Sequence, residues 1–238
     1  MEEGLLRKKV KSWLIGLGID PSDLKIYIES LTHRSFAREI NIKSRGNEQL
    51  EFLGDSVLSF IITSYLYKKF GYFPEGRLSK IRSLLISGKN LGDIAKKIRL
   101  DRQILLSENE ESSKGRGKET ILADSLEAFI GALYIDKGIN FASQWFLGKF
   151  EDSIEEKTDN SKISDYKTYL QEIIQADYNN KLVKYNIEKS EGPDHNKIFY
   201  STAVLDDKII GKGSGKSKKD SEQESAKNAL KILYDLKI

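Results

Sequence analysis

No cysteine occurs anywhere in the 238 residues. Disulfides, thiolate metal sites and cysteine nucleophiles are therefore excluded, and nothing in the fold calls for an oxidising compartment. Histidine occurs only twice, as His33 and His195. No stretch approaches the roughly 18 consecutive apolar residues of a membrane span, so no membrane partner is expected and the cytoplasm is the expected location. The run Lys8-Lys9-Val10-Lys11-Ser12-Trp13-Leu14-Ile15-Gly16-Leu17 imitates a signal peptide. Its apolar part is short and leads into Asp20-Pro21 without a small-residue cleavage site, so an amphipathic first helix is expected instead. A large charge of one sign is also missing: 39 basic residues face 36 acidic ones, for a net charge of +3. That balance does not by itself announce a nucleic-acid partner.

With 39% apolar and 32% charged residues the chain has the composition of a globular protein with a sizeable core. Charge distribution says more than charge sum. Lys208, Lys212, Lys216, Lys218 and Lys219 collect near the end, whereas acids gather at Glu48–Asp55 and at Glu151–Glu156. Arg116 is the last arginine, and the lysines beyond it suit point contacts to phosphate better than bidentate reading of base edges.

As far as Glu156 every strong pattern is helical. Ser22-Asp23 reads as a helix start, Gly71 as the end of a long helix from Glu48, and Pro74-Glu75-Gly76 as the opening of another. Residues 108–118 are polar and loop-like, Thr120 is placed to cap a helix from Ile121 towards Lys137, and a further segment runs from Phe141 to Ile154. Residues 155–162 hold no apolar side chain, the best boundary in the chain. After it come a helix from Tyr166 to Ala176, alternation at Val183, Tyr185 and Ile187 and again at Ile198, Tyr200, Thr202 and Val204, a turn at Asp206-Asp207, a short strand from Lys208 to Gly211 and a final helix. The fold class expected is multidomain: an all-α domain over 1–156, a linker over 157–163, and an α+β domain over 164–238 with the order helix, three strands, helix.

Within the Glu48 helix, Glu48, Glu51 and Asp55 fall at i, i+3 and i+7, so three carboxylates share one face. Leu50, Leu53 and Val57 take the same spacing on a core-facing stripe. Like charges a turn apart destabilise a helix by roughly 0.2–0.5 kcal/mol per pair, which invites a cation. Asp124 and Glu127 form a second pair at i, i+3. If the two helices pack, Glu51, Asp55, Asp124 and Glu127 converge as an all-oxygen set, which favours Mg²⁺, or Mn²⁺, over zinc. Acids on helices are otherwise solvated or paired with lysine, and spacing alone leaves both readings open.

The run Asn47-Glu48-Gln49-Leu50-Glu51-Phe52-Leu53-Gly54-Asp55-Ser56-Val57-Leu58 closely resembles the signature of the ribonuclease III family. Leu31-Thr32-His33-Arg34-Ser35, Pro74-Glu75-Gly76-Arg77-Leu78-Ser79 and Ile121-Leu122-Ala123-Asp124-Ser125-Leu126-Glu127-Ala128 are similar to further family blocks, in the family's order. The resemblance implies a metal-dependent endoribonuclease of double-stranded RNA, leaving 5′-phosphate and 3′-hydroxyl ends with 3′ overhangs. It also implies roles in ribosomal RNA precursor processing and in turnover of structured messages. It makes Glu51, Asp124 and Glu127 metal ligands, Asp55 and Glu127 catalytic, and Glu48 and Glu75 neighbours of the scissile strand. It implies a homodimer in which Phe52 packs into the partner. Ser107 and Asn109 stand where the family usually has other residues.

The second domain resembles a double-stranded RNA-binding domain. A-form RNA hides its base edges, so such a domain meets 2′-hydroxyls across minor grooves and phosphates between them. Gln171 and Gln175 on the first helix, the Gly192-Pro193-Asp194-His195 loop, and Lys216, Lys218 and Lys219 at the last helix match its three contact patches. Gly211-Lys212-Gly213-Ser214-Gly215-Lys216-Ser217 imitates a phosphate-binding loop, but it is one residue short and follows a hairpin strand. No nucleotide cofactor is expected. The rival is a non-catalytic double-stranded RNA-binding protein on the same scaffold.

Overall fold

The computed structural model describes residues 3–40, 45–71, 73–160, 166–178, 181–193 and 196–234. The chain divides into two compact units, one of residues 1–71 and 75–159 and the other of residues 72–74 and 160–238.

The first unit is helical. It comprises α1 (Glu3–Gly16), α2 (Leu24–Ser30), α3 (Arg34–Glu39), α4 (Glu48–Phe70), α5 (Glu75–Leu85), α6 (Gly88–Lys97), α7 (Glu108–Ser112) and α8 (Glu119–Asn160), with short 3₁₀ turns at Leu100–Arg102 and Gly115–Gly117. Asp23 caps α2 by accepting from the Lys25 amide, and Gly71 ends α4, both as expected. Helix α8 breaks at Gly138, whose φ of 78° lies outside the helical region, where the sequence separates the segments ending at Lys137 and starting at Phe141. Phe129 lies at the core's centre, its ring 5.3 Å from Trp13, 6.0 Å from Tyr27 and 5.5 Å from Trp145.

Several boundaries differ from the expected ones. Helix α8 starts at Glu119, after extended Lys118, so Thr120 lies inside the first turn and does not cap it. Its far end continues to Asn160, into the stretch expected as linker, where Glu and Lys keep good helix propensity without an apolar stripe in the sequence. Residues 108–118, expected as loop, are organised. Ser107 caps α7 by accepting from the Glu110 amide, and the Arg116 guanidinium holds Glu111 at 2.6 Å while donating to the carbonyls of Asp101 and Ile104.

The second unit follows the expected order: α9 (Tyr166–Asp177), strands β1 (Lys184–Glu191), β2 (Ile198–Leu205) and β3 (Lys208–Gly215), then α10 (Lys218–Tyr234). The sheet is antiparallel in the order β1-β2-β3, pairing Lys184 with Val204 and Phe199 with Gly215. Asp206 and Asp207, with φ of 49° and 61°, make the two-residue β2–β3 turn, a conformation aspartate tolerates better than most side chains. The glycines that imitate a phosphate loop serve packing. A Cβ on Gly211, Gly213 or Gly215 would lie 2.3, 2.2 or 2.6 Å from the backbone of Ser225 or Ser221, so β3 lies flush against α10. Ser221 and Ser225 are fully buried at that contact.

Candidate active site

Two glycines bring the acidic helices together. A Cβ on Gly54 of α4 would stand 1.7 Å from the Glu127 carbonyl oxygen, and one on Gly131 of α8 would stand 2.3 Å from that of Leu50. The helices thus touch backbone to backbone, and their neighbouring carboxylates meet. One carboxylate oxygen from each of Glu51, Asp124 and Glu127 lies within 4.8 Å of the others. The core stripe shifts accordingly: Leu50, Gly54, Val57, Leu58 and Ile61 are buried, whereas Leu53, expected among them, is half-buried.

Unit charges about 4 Å apart repel by about 4 kcal/mol at an effective dielectric near 20, so three ionised groups do not rest there unaided. Burial, then the charges of Asp55, Asp124 and Glu51, push the Glu127 carboxyl up to about 7. Burial, then Asp124 and Glu48, raise Glu51 against the opposing pull of Arg34. Burial also raises Asp124, again against Arg34. A hard divalent cation fits this donor set: all donors are carboxylate oxygens, half-buried, and short of compensating positive charge.

Other expected site residues are placed differently. Asp55 is exposed on α4, outside the three-oxygen cluster but close enough to act on Glu127. Glu48 lies in the adjoining cleft and pairs with Arg34 at 3.5 Å. Glu75 is not brought to the cluster: it accepts from the Ser79 hydroxyl at 2.7 Å and lines a small apolar pocket with Leu66, Tyr67 and Leu78. Phe52 is 80% exposed.

In the second unit, the Gln171 amide is engaged internally, donating to the Lys181 carbonyl at 2.8 Å and accepting from the Val183 amide at 2.9 Å. Gln175 is half-buried and has no recorded side-chain partner among the described residues. Lys216, Lys218 and Lys219 are exposed around the start of α10, where the Ser217 hydroxyl accepts from the Asp220 amide at 3.0 Å. His195 lies outside the described residues.

The cluster opens into a cleft of about 630 Å³ whose other wall sequence reasoning did not assign. His33 caps α3, its Nδ1 accepting from the Ser35 amide at 3.2 Å. Burial lowers its pKa, with Arg34 and Lys118 acting in the same direction against Glu110 and Glu48. The Ser35 hydroxyl accepts from the Ser107 amide at 3.1 Å, and the His33 amide donates to the Leu105 carbonyl, so the α3 wall and the start of α7 are stitched together. Arg34 and Arg38, one turn apart on α3, line the cleft, as do the Glu110–Lys118 pair at 2.6 Å and buried Asn47. The available signal was the i, i+4 spacing of two arginines just before the acidic helix.

Residues 23–153 match the family model described as ribonuclease-III-like, and residues 166–233 match the double-stranded RNA binding motif. A ribonuclease 3 of Borreliella afzelii is 41% identical over 232 residues, covering 98% of this chain and 94% of the relative. That of Clostridium beijerinckii is 43% identical over 217 residues, covering 91% and 93%. Among solved structures, the nuclease domain of ribonuclease III from Campylobacter jejuni aligns with a TM-score of 0.56 at 39% identity, over 60% of this chain and 96% of that one. That structure concerns flexibility in a region involved in dimer formation.

Proposed function

From the premise that this chain belongs to the ribonuclease III family and is an endonuclease of double-stranded RNA, we propose that Glu51, Asp124 and Glu127 hold Mg²⁺, with Mn²⁺ as a substitute, at its catalytic centre. The observation that carries this is the convergence of three carboxylate oxygens within 4.8 Å, with Glu127 pushed up to about 7 by burial and by its acidic neighbours. A divalent cation held there supplies Lewis-acid activation of water and neutralises charge on the leaving oxygen.

The chain's own groups do the positioning. Glu51 presents its oxygen from α4, and Asp124 and Glu127 present theirs from α8, held close by the Gly54 contact. Asp55, exposed beside Glu127, accepts a hydrogen bond from the attacking water and sets its line of approach. Glu48, steered by Arg34, faces the strand next to the cut. In the C-terminal domain Gln175 meets 2′-hydroxyls, the loop containing His195 enters a second minor groove, and Lys216, Lys218 and Lys219 hold phosphate where the α10 dipole adds to their charge. Gln171 joins them only if it releases the backbone before β1.

Two copies, joined around exposed Phe52, make staggered cuts on opposite strands, leaving 5′-phosphate and 3′-hydroxyl ends with 3′ overhangs. Glu75, apart from the cluster in one chain, meets the duplex along its length. The substrates are ribosomal RNA precursors and structured messages in the cytoplasm.

The test is incubation of the full chain with labelled RNA duplex, its single strands and the matching DNA duplex, with Mg²⁺, with Mn²⁺ or with chelator. RNA duplex alone is expected to be cut, only with metal, and Glu127→Gln is expected to bind but not cut. Normal turnover by Glu127→Gln would sink the assignment of that residue. Tight binding without cleavage in either metal would favour the binding-protein alternative.

A further inference from the structure

We propose that the cationic wall of the cleft, led by Arg38, is a subsite for a backbone phosphate neighbouring the one that is cut; this rests on the endonuclease reading above. Three cations line the cleft, and two are already engaged: Arg34 with Glu48 at 3.5 Å and Lys118 with Glu110 at 2.6 Å. Arg38 is exposed and has no recorded hydrogen-bond or ion-pair partner among the described residues. Its place on α3, four residues after Arg34, sets both guanidinium groups on one helix face along the same cleft.

The chemistry that fits is phosphate. An RNA strand in the cleft faces the carboxylates of Glu48, Glu51, Glu110 and Asp124, which repel its phosphates. A divalent cation among Glu51, Asp124 and Glu127 offsets charge at the cut itself, but the flanking phosphates still face Glu48 and Glu110. Those two acids are balanced by Arg34 and Lys118, so among the described residues Arg38 is the surplus positive charge lining the cleft. A guanidinium fork also matches two phosphate oxygens at once, which fixes register as well as attracting the strand.

A second observation points to the same ligand. Asn47, 3% exposed and lining the cleft between the two walls, has a buried amide nitrogen with no hydrogen-bond partner. Such a donor calls for an oxygen acceptor, and a phosphate oxygen reached directly or through one water supplies it.

The experiment measures cleavage of RNA duplex by the full chain with Mg²⁺ over a range of salt, for the wild type, Arg38→Gln, Arg38→Lys and the remote control Lys97→Gln. Duplexes with a single neutral methylphosphonate at successive positions around the cut are included. Arg38→Gln is expected to lose about tenfold in kcat/KM, mostly through KM, the usual worth of one charge-assisted hydrogen bond. Its salt slope should flatten by roughly one. Arg38→Lys should recover part of the loss, and Lys97→Gln should behave as the wild type. Neutralising one particular phosphate should slow the wild type and leave Arg38→Gln unaffected, because the partner is already gone. Arg38 is exposed and makes no side-chain hydrogen bond or ion pair among the described residues, so thermal melts of the variants should superimpose. If Arg38→Gln matches the wild type in kcat/KM and salt slope, or if its loss adds to that of every neutralised phosphate, the subsite is overturned while the endonuclease reading stands. A wild type that does not cut the duplex overturns both.

Discussion

Burial among other acids sets Glu127 apart from an ordinary carboxyl group, and that setting has a pH signature. Its carboxyl is pushed from the ordinary 4.5 up to about 7, first by burial and then by Asp55, Asp124 and Glu51. The folded state therefore holds a proton that the unfolded state has already released between those two values. The contribution of this group to metal-free stability is fully present below about pH 4.5 and is lost as pH rises through 7. Glu51 and Asp124 are raised as well and act in the same direction. In chelator, melting temperature should fall from pH 5 to pH 8, and Glu127→Gln should flatten much of that fall. At pH 8 the variant should melt roughly 2–4 °C above the wild type, about 1 kcal/mol for a protein of this size. Mg²⁺ should raise the wild type at pH 8 and do little for the variant. Parallel pH slopes for the two proteins, followed by circular dichroism, would show that Glu127 is not the group responsible.

Between the acidic helices two effects oppose each other at Gly54. Alanine is a better helix former than glycine by about 1 kcal/mol, so propensity alone says that Gly54→Ala stabilises α4. The new methyl would stand 1.7 Å from the Glu127 carbonyl oxygen, a clash with backbone that only a shift of α4 from α8 relieves. Overpacking of this kind costs about 1–3 kcal/mol or more, and sterics should win. Urea unfolding should show a net loss, and calorimetric titration should show weaker Mn²⁺ binding, because the shift parts Glu51 from Glu127. A gain in stability would mean that the close approach is not required. The same contact marks the limit of what periodicity reveals. The 3.6-residue pattern identifies both helices and puts Glu51, Asp124 and Glu127 on faces able to meet, and alternation identifies the strands. It places Leu53 in the core because it scores side chains, whereas the contact here is made by a residue without one. The 108–118 segment escaped for a related reason: its order comes from Arg116 reaching the Asp101 and Ile104 carbonyls, partners that local composition does not announce. The α3 wall was likewise hidden until the fold set it opposite the acids.

For the molecule as a whole, the exposed face of α4 argues for a second copy. Phe52 is 80% exposed, Phe60 58% and Tyr67 71% on one helix, and the small apolar pocket beside Tyr67 opens nearby. Burying a phenylalanine is worth about 1.5–3 kcal/mol, which in an association equilibrium is a factor of roughly 10 to 150. In a homodimer Phe52→Ala removes the ring from both copies, so it should raise the dimer dissociation constant by the square of that factor, roughly 10² to 10⁴, in sedimentation equilibrium, whereas the monomer's melting temperature should hardly move, because the ring is largely solvated in its own chain. On the proposed arrangement, in which each copy cuts one strand of the same duplex, the concentration at which double-strand cleavage is half-maximal should rise with the dissociation constant. Below it, the variant should leave nicked rather than severed duplex. A variant that sediments as the wild type does would remove Phe52 from the interface. One that dissociates yet still severs both strands at low concentration would show that each chain cuts without its partner.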